Sequence, residues 1–374
     1  MAKVRVQLGT PRFELVTTKL IQDARPECVF DFSMLDEFLN CHRSYLYRYE
    51  WHLTRVGGAA HSLVFGDGTH EALKAHYTLL RDKKIVGRPF DKEEHLEAME
   101  RAFLKATHKA VLANEFPLFI EDQPDGKRYL LNAWKIFNGY LDCYPIENFE
   151  VLDIEVPIAY IIPFDLDGEV GEIIYIGRVD LLIQYLGHLH IMEHKTSSIM
   201  GKNFMASFRP NHQVSGYIGG MRERTGLPIY WGLINAIGVY KNDPKFERER
   251  VRRETDEIIS FENQVINMTR EILWYRERIQ RSIGTGPNEE EAEDIFYQNP
   301  RYCFKWNTAC QFHILCQKAS KTARHTLMAH AYAKSVWSPF KFHNMRAEDV
   351  AGSNVAKNTA EIGVQVDERV KKSG

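Results

Sequence analysis

The sequence has no apolar run near the roughly 18 residues that cross a bilayer. Its first residues, MAKVRVQLGT, lack the long apolar core of a signal peptide. These absences point to a soluble, cytoplasmic chain. An excess of one charge is also missing. The formal net charge is only −2, which excludes a polybasic protein held to a polyanion by its overall field; such contact needs a local basic channel. No GxxxxGK[ST] phosphate loop occurs, so a nucleotide-driven motor of that type is excluded from this chain. Internal repeats are absent. Cysteines number only six, and in a cytosolic chain free or metal-bound thiols are more usual than disulfides. What is present is globular. Apolar residues at 44%, with 12% aromatics, fill a core in 374 residues, enough for one large domain with insertions or two small ones at roughly 100–200 residues each.

Residues 1–30 carry little signal. SMLDEFLNCHRSYLYRYEWHL follows, with Ser33 and Asp36 at capping-box spacing and Leu35, Phe38, Leu39 and Tyr45 at helical spacing. Cys41 lies on this helix. After Gly57 and Gly58 a second helix is expected from about Asp67, with His70 in its first turn and Lys74 on the same face. Two more helices are expected over 91–116 and 127–144. From Asn148 the period changes. FEVLDIEVPIAYII, GEIIYIGRVDLLIQY and GHLHIMEHKTSS read as three strands of an antiparallel meander, with the Asp-Gly at 167–168 and Gly187 as turn signals. Pro210 suits the first position of a helix through PNHQVSGYIGGMRERTG. The stretch 230–240 reads as a buried strand, 256–282 as a long amphipathic helix, and GTGPNEEEAEDIF as an exposed acidic loop. Beyond about 320 the chain reads as a polar tail that docks on a partner.

The stretch 173–217 concentrates the chemistry. Asp180 stands near the middle of one apolar run. Glu193 and Lys195, two apart, project from one face of the next. If the runs pair as a hairpin, Asp180 reaches that face too. Charges inside a sheet must be paired or must hold a metal. One reading is therefore a buried salt bridge to Lys195. The other is a divalent-metal phosphodiesterase site. Carboxylates bind a hard cation such as Mg²⁺, the cation offsets phosphate charge, and Lys195 orients or deprotonates the attacking water. Glu155, on the preceding strand, is a candidate further carboxylate. Cys303, Cys310 and Cys316, spaced C-x6-C-x5-C, point to a metal or cluster, against three unlinked thiols; Cys28 and Cys143 read as ordinary buried thiols. Arg248, Arg250, Arg252 and Arg253, interrupted by glutamates, read as a solvated face laced with ion pairs, with phosphate contact the alternative.

In chain order, GDGTHEALKAHY, IGRVDLLIQ, MEHKTS and QVSGY resemble the histidine, GxxD, (D/E)xKT and QxxxY motifs of the PD-(D/E)xK nuclease superfamily. The resemblance is to its RecB-like branch, which includes the RecB/AddB nuclease domains and the exonucleases of CRISPR adaptation, and it covers about 33–316 in scattered motifs. It implies an α/β fold with a restriction-endonuclease-like core, a mixed central sheet flanked by helices. The implied division is an N-terminal segment (1–30), a nuclease domain (31–320) with a helical insertion at about 78–147, and the polar tail (321–374). It implies His70, Asp180 and Glu193 as ligands of Mg²⁺ or Mn²⁺ and Lys195 as the water-activating group. Gln213 and Tyr217 share a helix face and contact the nucleic-acid backbone or support Lys195. A core histidine and a buried tyrosine are the structural alternatives for His70 and Tyr217. Members of the branch often hold a [4Fe–4S] cluster with one N-terminal and three C-terminal cysteines. Cys41 with Cys303, Cys310 and Cys316 resembles that set, except for a six-residue first gap where two is common; four thiolates also suit zinc. The cluster would be a structural staple between the first helix and the end of the chain. The implied activity is a metal-dependent deoxyribonuclease, an exonuclease on DNA ends or single strands in recombination, repair or replication, with any helicase or recombinase on a separate chain. The alternative is a catalytically silent nucleic-acid-binding module.

Overall fold

The computed structural model describes residues 28–56, 61–112, 126–166, 169–282, 289–305, 308–318 and 320–335. Strand β1 (Val29–Phe30) leads into helix α1 (Phe32–Asn40). The cap is Asp31, whose carboxylate accepts the Met34 N–H at 2.8 Å, not the predicted Ser33; a carboxylate is the stronger acceptor for first-turn N–H groups. A short helix and a π turn (Leu46–Glu50) reach strand β2 (Leu53–Arg55). Helix α2 (His61–Asp82) starts before the predicted Asp67 because Val64 and Phe65 join its buried face. It runs unbroken past residue 78, so the expected edge of the helical insertion falls inside it. Helices α3 (Lys92–Leu112) and α4 (Leu130–Cys143) follow the predicted spacing.

Strands β3 (Glu150–Leu166), β4 (Glu169–Tyr185) and β5 (His188–Ser197) form the expected antiparallel meander. Between β4 and β5, Leu186 and Gly187 take φ values of 51° and 77°, the paired positive angles of a type I′ turn. The Asp-Gly at 167–168 lies outside the described residues. Helix α5 (His212–Thr225) is capped by Asn211, which accepts the Val214 N–H at 3.1 Å; Pro210 therefore precedes the helix and does not start it. Strand β6 (Trp231–Gly238) runs parallel to β5, and β7 (Lys245–Arg252) pairs antiparallel to β6. Helix α6 spans Thr255–Ser282. Helix α7 (Glu289–Ile295) stands where an exposed acidic loop was expected. Its Glu293 is buried between Arg43 and Arg324, so partners distant in sequence order this acidic stretch. Short strands β8 (Phe304–Lys305) and β9 (Thr308–Ala309) lead to helices α8 (His313–Cys316) and α9 (Lys321–Ala331). Strand β10 (Tyr332–Lys334) pairs antiparallel with β2, so the start of the expected tail folds back on the N-terminal region.

The main sheet has six strands in the order β1-β4-β5-β6-β7, with β3 on the free side of β4. It is mixed, because β1–β4 and β5–β6 are parallel pairs and the rest antiparallel. Helices α2, α3 and α4 pack Leu73, Phe103 and Phe137 against Leu181, Ile183, Met192 and Leu233. On the other face α5 and α6 pack Ile218, Phe261 and Val265 against Val179, Leu182, Ile191 and Ile234. The fold is thus α/β, a mixed sheet flanked by helices, and cover on both faces explains the near-continuous apolar run of β4. No helix among the described residues is long and apolar enough to cross a membrane.

Helix α5 lies close to the sheet. A Cβ on Gly216 would fall 2.4 Å from the Tyr175 ring. Gly216→Ala is therefore expected to destabilise by about 1–3 kcal/mol through overpacking, although alanine is otherwise favoured over glycine in helices by about 1 kcal/mol. Urea unfolding reads the sign; a stabilised variant would refute the tight packing.

Candidate active site

The type I′ turn fixes the β4–β5 register, with Leu181 opposite Met192. That register brings Asp180 beside Glu193. Asp180 Oδ2 accepts the backbone N–H of His194 at 2.7 Å, and its Oδ1 lies 3.3 Å from His70 Nδ1 on α2. Lys195 Nζ donates to Glu193 Oε1 at 2.8 Å and to Gln213 Oε1 at 2.7 Å. Gln213 Nε2 in turn donates to Glu193 Oε1 at 2.9 Å and to the Tyr217 hydroxyl at 3.1 Å. The structure thus gathers His70, Asp180, Glu193, Lys195, Gln213 and Tyr217 at one place. The glycine of GRVD has a packing reason: a Cβ on Gly177 would lie 2.6 Å from the Tyr217 ring.

Asp180 and Glu193 are buried. Burial and the Asp180 charge raise the pKa of Glu193 above the ordinary carboxylate range, against the pull of Lys195. Burial acts the same way on Asp180, but the facing His70 and the hydrogen bonds prevail and hold its carboxyl low. For His70, burial opposes the charged form, yet Asp180 wins and raises the imidazole above its usual value. Positive charge is therefore stabilised between these side chains. Glu193 Oε2 is buried with no hydrogen-bond partner among the described residues. Among those residues no group of three His, Cys, Asp or Glu is arranged to hold a metal ion, here or at the cysteines; His70 engages Asp180, and Glu193 turns one oxygen to Lys195. The donor types nevertheless fit a divalent cation. Carboxylate oxygens suit Mg²⁺, and an added imidazole suits Mn²⁺, and the Glu193 Oε2 with no partner among the described residues is of the donor type such a cation takes. Glu155 is differently engaged: with φ 55° at a break in the β3 ladder, it pairs with Arg178 at 2.8 Å.

Sequence reading passed over the support of this site. His194 lies between Glu193 and Lys195, so alternation turns its ring to the opposite face. There it stacks on Tyr77 at 5.4 Å and sits 3.0 Å from the Asn235 amide nitrogen. Burial pushes its pKa down to about 3, which keeps the ring neutral. Asn235 accepts from Arg248 Nε at 3.0 Å. Arg248 forks onto Glu147 at 2.7 and 2.6 Å and reaches the Tyr77 and Tyr140 hydroxyls at 3.0 and 2.8 Å. The expectation of a solvated arginine face laced with ion pairs describes Arg252, exposed and paired with Glu254, and is corrected for Arg248, which is only 14% exposed and lies inside with Glu147, at 2%. The detectable signal was the alternation of KFERERVR.

Cys41, Cys303, Cys310 and Cys316 line one cavity. The Asn299 N–H donates to Cys41 Sγ at 3.3 Å, and Ser44 Oγ lies 3.9 Å from Cys310 Sγ. Burial pushes the Cys316 thiol up to about 12 despite Arg43, and the other three sulfurs add to the rise. The cavity is about 10 Å³, the room of one water-sized sphere. Cys28 is buried as expected, but Cys143 is exposed, at the outer end of α4.

Acidic and basic groups thus meet at the middle of a helix-covered mixed sheet. The sequence matches the family model of the PD-(D/E)XK nuclease superfamily over residues 31–317. The chain belongs to that superfamily, whose nucleases generally use Mg²⁺ or Mn²⁺, and the membership points to a metal-dependent nuclease acting on nucleic acid. No curated protein matches the sequence. Among solved structures, the crystal structure of SSO0001 matches at 12% identity over 70% of this chain and 83% of that one, with a TM-score of 0.29.

Proposed function

We propose that the chain is a metal-dependent deoxyribonuclease of the RecB-like branch, an exonuclease acting on DNA ends or single strands in recombination, repair or replication. The observation that carries this reading is the Asp180–Glu193–Lys195 cluster beneath His70, with one Glu193 oxygen buried and unpartnered. His70, Asp180 and Glu193 would hold Mg²⁺ or Mn²⁺. When bound, the cation supplies phosphate neutralisation and an acidified water. Lys195, held as an ammonium by Glu193 and Gln213, would orient the attacking water and offset charge developing on the phosphate. Gln213 fixes the ammonium, and Tyr217 fixes Gln213. The nuclease domain spans 31–320, the setting is cytoplasmic, and any helicase or recombinase is a separate chain.

The four cysteines form a structural metal centre in this reading. The resemblance favours a [4Fe–4S] cluster, with a single zinc ion on four thiolates as the alternative. Anaerobic purification separates the two: a brown protein absorbing in the visible carries the cluster, and a colourless one with about one zinc per chain carries the ion. Function is tested with end-labelled single- and double-stranded DNA under Mg²⁺ and Mn²⁺ titration. Labelled product that chelation abolishes is expected. Binding without cleavage at every metal concentration would refute the nuclease and leave the silent binding module.

A further inference from the structure

Outside the catalytic cluster, the arginine-rich strand borders an open pocket of about 460 Å³, within the range of small-ligand sites. Arg209, Pro210, Trp231, Arg250, Arg252 and Arg253 line it. Resting on the nuclease reading above, we propose that this pocket holds a nucleotide unit of the substrate strand away from the scissile bond, its phosphate on the arginines and its base against Trp231.

The charge argument starts from Arg253. It is 2% exposed, and its donors go to Ser215 Oγ at 2.9 Å, the Phe208 carbonyl at 2.8 Å and the Arg252 carbonyl at 2.9 Å. All three acceptors are neutral, and no carboxylate among the described residues forms an ion pair with it. The opposing charge that acts on it is that of Glu257, without a direct ion pair; a buried guanidinium so weakly paired is costly, and its five N–H donors exceed these three bonds. Arg250 is also without a carboxylate partner among the described residues. Its Nε donates to His190 Nε2 at 3.2 Å, and its guanidinium lies 4.0 Å over the Trp231 ring. Arg209 and Arg252 stand at the rim, 72% and 53% exposed, paired with Glu249 and Glu254; exposed pairs of this kind exchange partners at little cost. Helix N-termini add to the field. Pro210 and Asn211 precede α5, and Arg253 precedes α6; each such end favours an anion. Glu257 is the acid of the pocket wall; its Oε2 accepts the Glu254 N–H at 2.8 Å and its charge also acts on Arg253.

Trp231 and the Arg250 plane are the two kinds of surface on which bases stack. The pocket adjoins the catalytic cluster. Pro210 lies one turn before Gln213, which holds Lys195. Trp231 pairs with His190, three positions before Glu193 on the same strand and on the opposite face of the sheet, about 10 Å along the strand at the rise of a β-strand, so a strand reaching both rounds the end of the sheet. A polymer can occupy both places at once, whereas a free mononucleotide fills one.

The test measures binding of a labelled single-stranded oligonucleotide by fluorescence anisotropy, on protein as purified with no divalent cation added. The Arg250→Ala/Arg252→Ala double variant is expected to bind about tenfold or more weakly, with a salt dependence shallower by about two ions. Trp231→Ala is expected to weaken binding about tenfold with its salt dependence unchanged. Unchanged affinity in both variants, at wild-type melting temperature, overturns the pocket whether or not the protein cleaves. A wild type that never cleaves, but whose binding is lost in these variants, overturns the nuclease reading and keeps the pocket. Titration with a mononucleotide separates the sources. Binding as tight as that of the oligonucleotide, lost in the same variants, overturns the strand assignment in favour of a free nucleotide; displacement only at far higher concentration supports the strand.

Discussion

Asp180→Asn and Lys195→Ala are each expected to lower metal-dependent DNA cleavage by about 10²–10⁴-fold while the protein stays folded. The asparagine oxygen can still accept the His194 N–H that Asp180 accepts now, so the hairpin keeps its shape. What is lost is the charge that faces His70 and would meet a cation. Removing that charge also relieves Glu193, whose pKa is raised partly by Asp180, so a large loss of stability is not expected. Lys195→Ala deprives Glu193 of its ammonium but leaves the Gln213 amide donating to it. The carboxyl then becomes more easily protonated, and a neutral acid is tolerable in a buried site. The readout is kcat at saturating metal, beside the melting temperature of each variant. Wild-type activity in either purified variant would place the chemistry elsewhere.

The second large effect concerns stability. Glu147→Ala is expected to cost about 3–5 kcal/mol, because it strands the Arg248 guanidinium in the interior. Arg248→Met strands Glu147 in the same way. The double variant Glu147→Leu/Arg248→Met should recover much of the loss, since apolar groups of similar size can replace a buried pair. Urea midpoints of the three variants measure this directly, and a single-variant cost below about 1 kcal/mol would mark the pair as equivalent to a surface salt bridge. Loss of this pair also frees Asn235 and the His194 ring. Cleavage by the single variants should therefore fall even below their unfolding temperature, because the His194 backbone positions Asp180.

How much of this was legible depended on how local the cause was. The β4–β5 hairpin was readable because alternation and Gly187 act within a few residues, and Glu193 and Lys195 sharing a face follows from period alone. His70 was not readable in that way. Its place opposite Asp180 depends on how α2 lies across the sheet, and only the order of motifs suggested it. The start of α2 was missed because Gly57, Gly58 and the glycines near Asp67 masked the buried positions Val64 and Phe65. The segment Glu289–Ile295 reads as a loop because its charge suggests exposure, while the partners of Glu293, Arg43 and Arg324, are far away in sequence. Arg248 was hidden similarly: nothing near it in the chain announces Glu147. Cys41 was linked to the three late cysteines by resemblance, and the fold places all four around one cavity.

The pairing of β2 with β10 and the cysteine cavity set an order of events during synthesis. Arg55 leaves the ribosome long before Tyr332, its partner in the ladder. At about 5–20 residues per second the interval is on the order of tens of seconds. Throughout it β2 has no mate, and Cys41 waits for the sulfurs of Cys303, Cys310 and Cys316. A chain stopped after β7 would carry every side chain of the candidate active site yet could not assemble the four-thiol cavity. In the proposed metal centre, uptake by those thiols would then report that translation had passed Cys316.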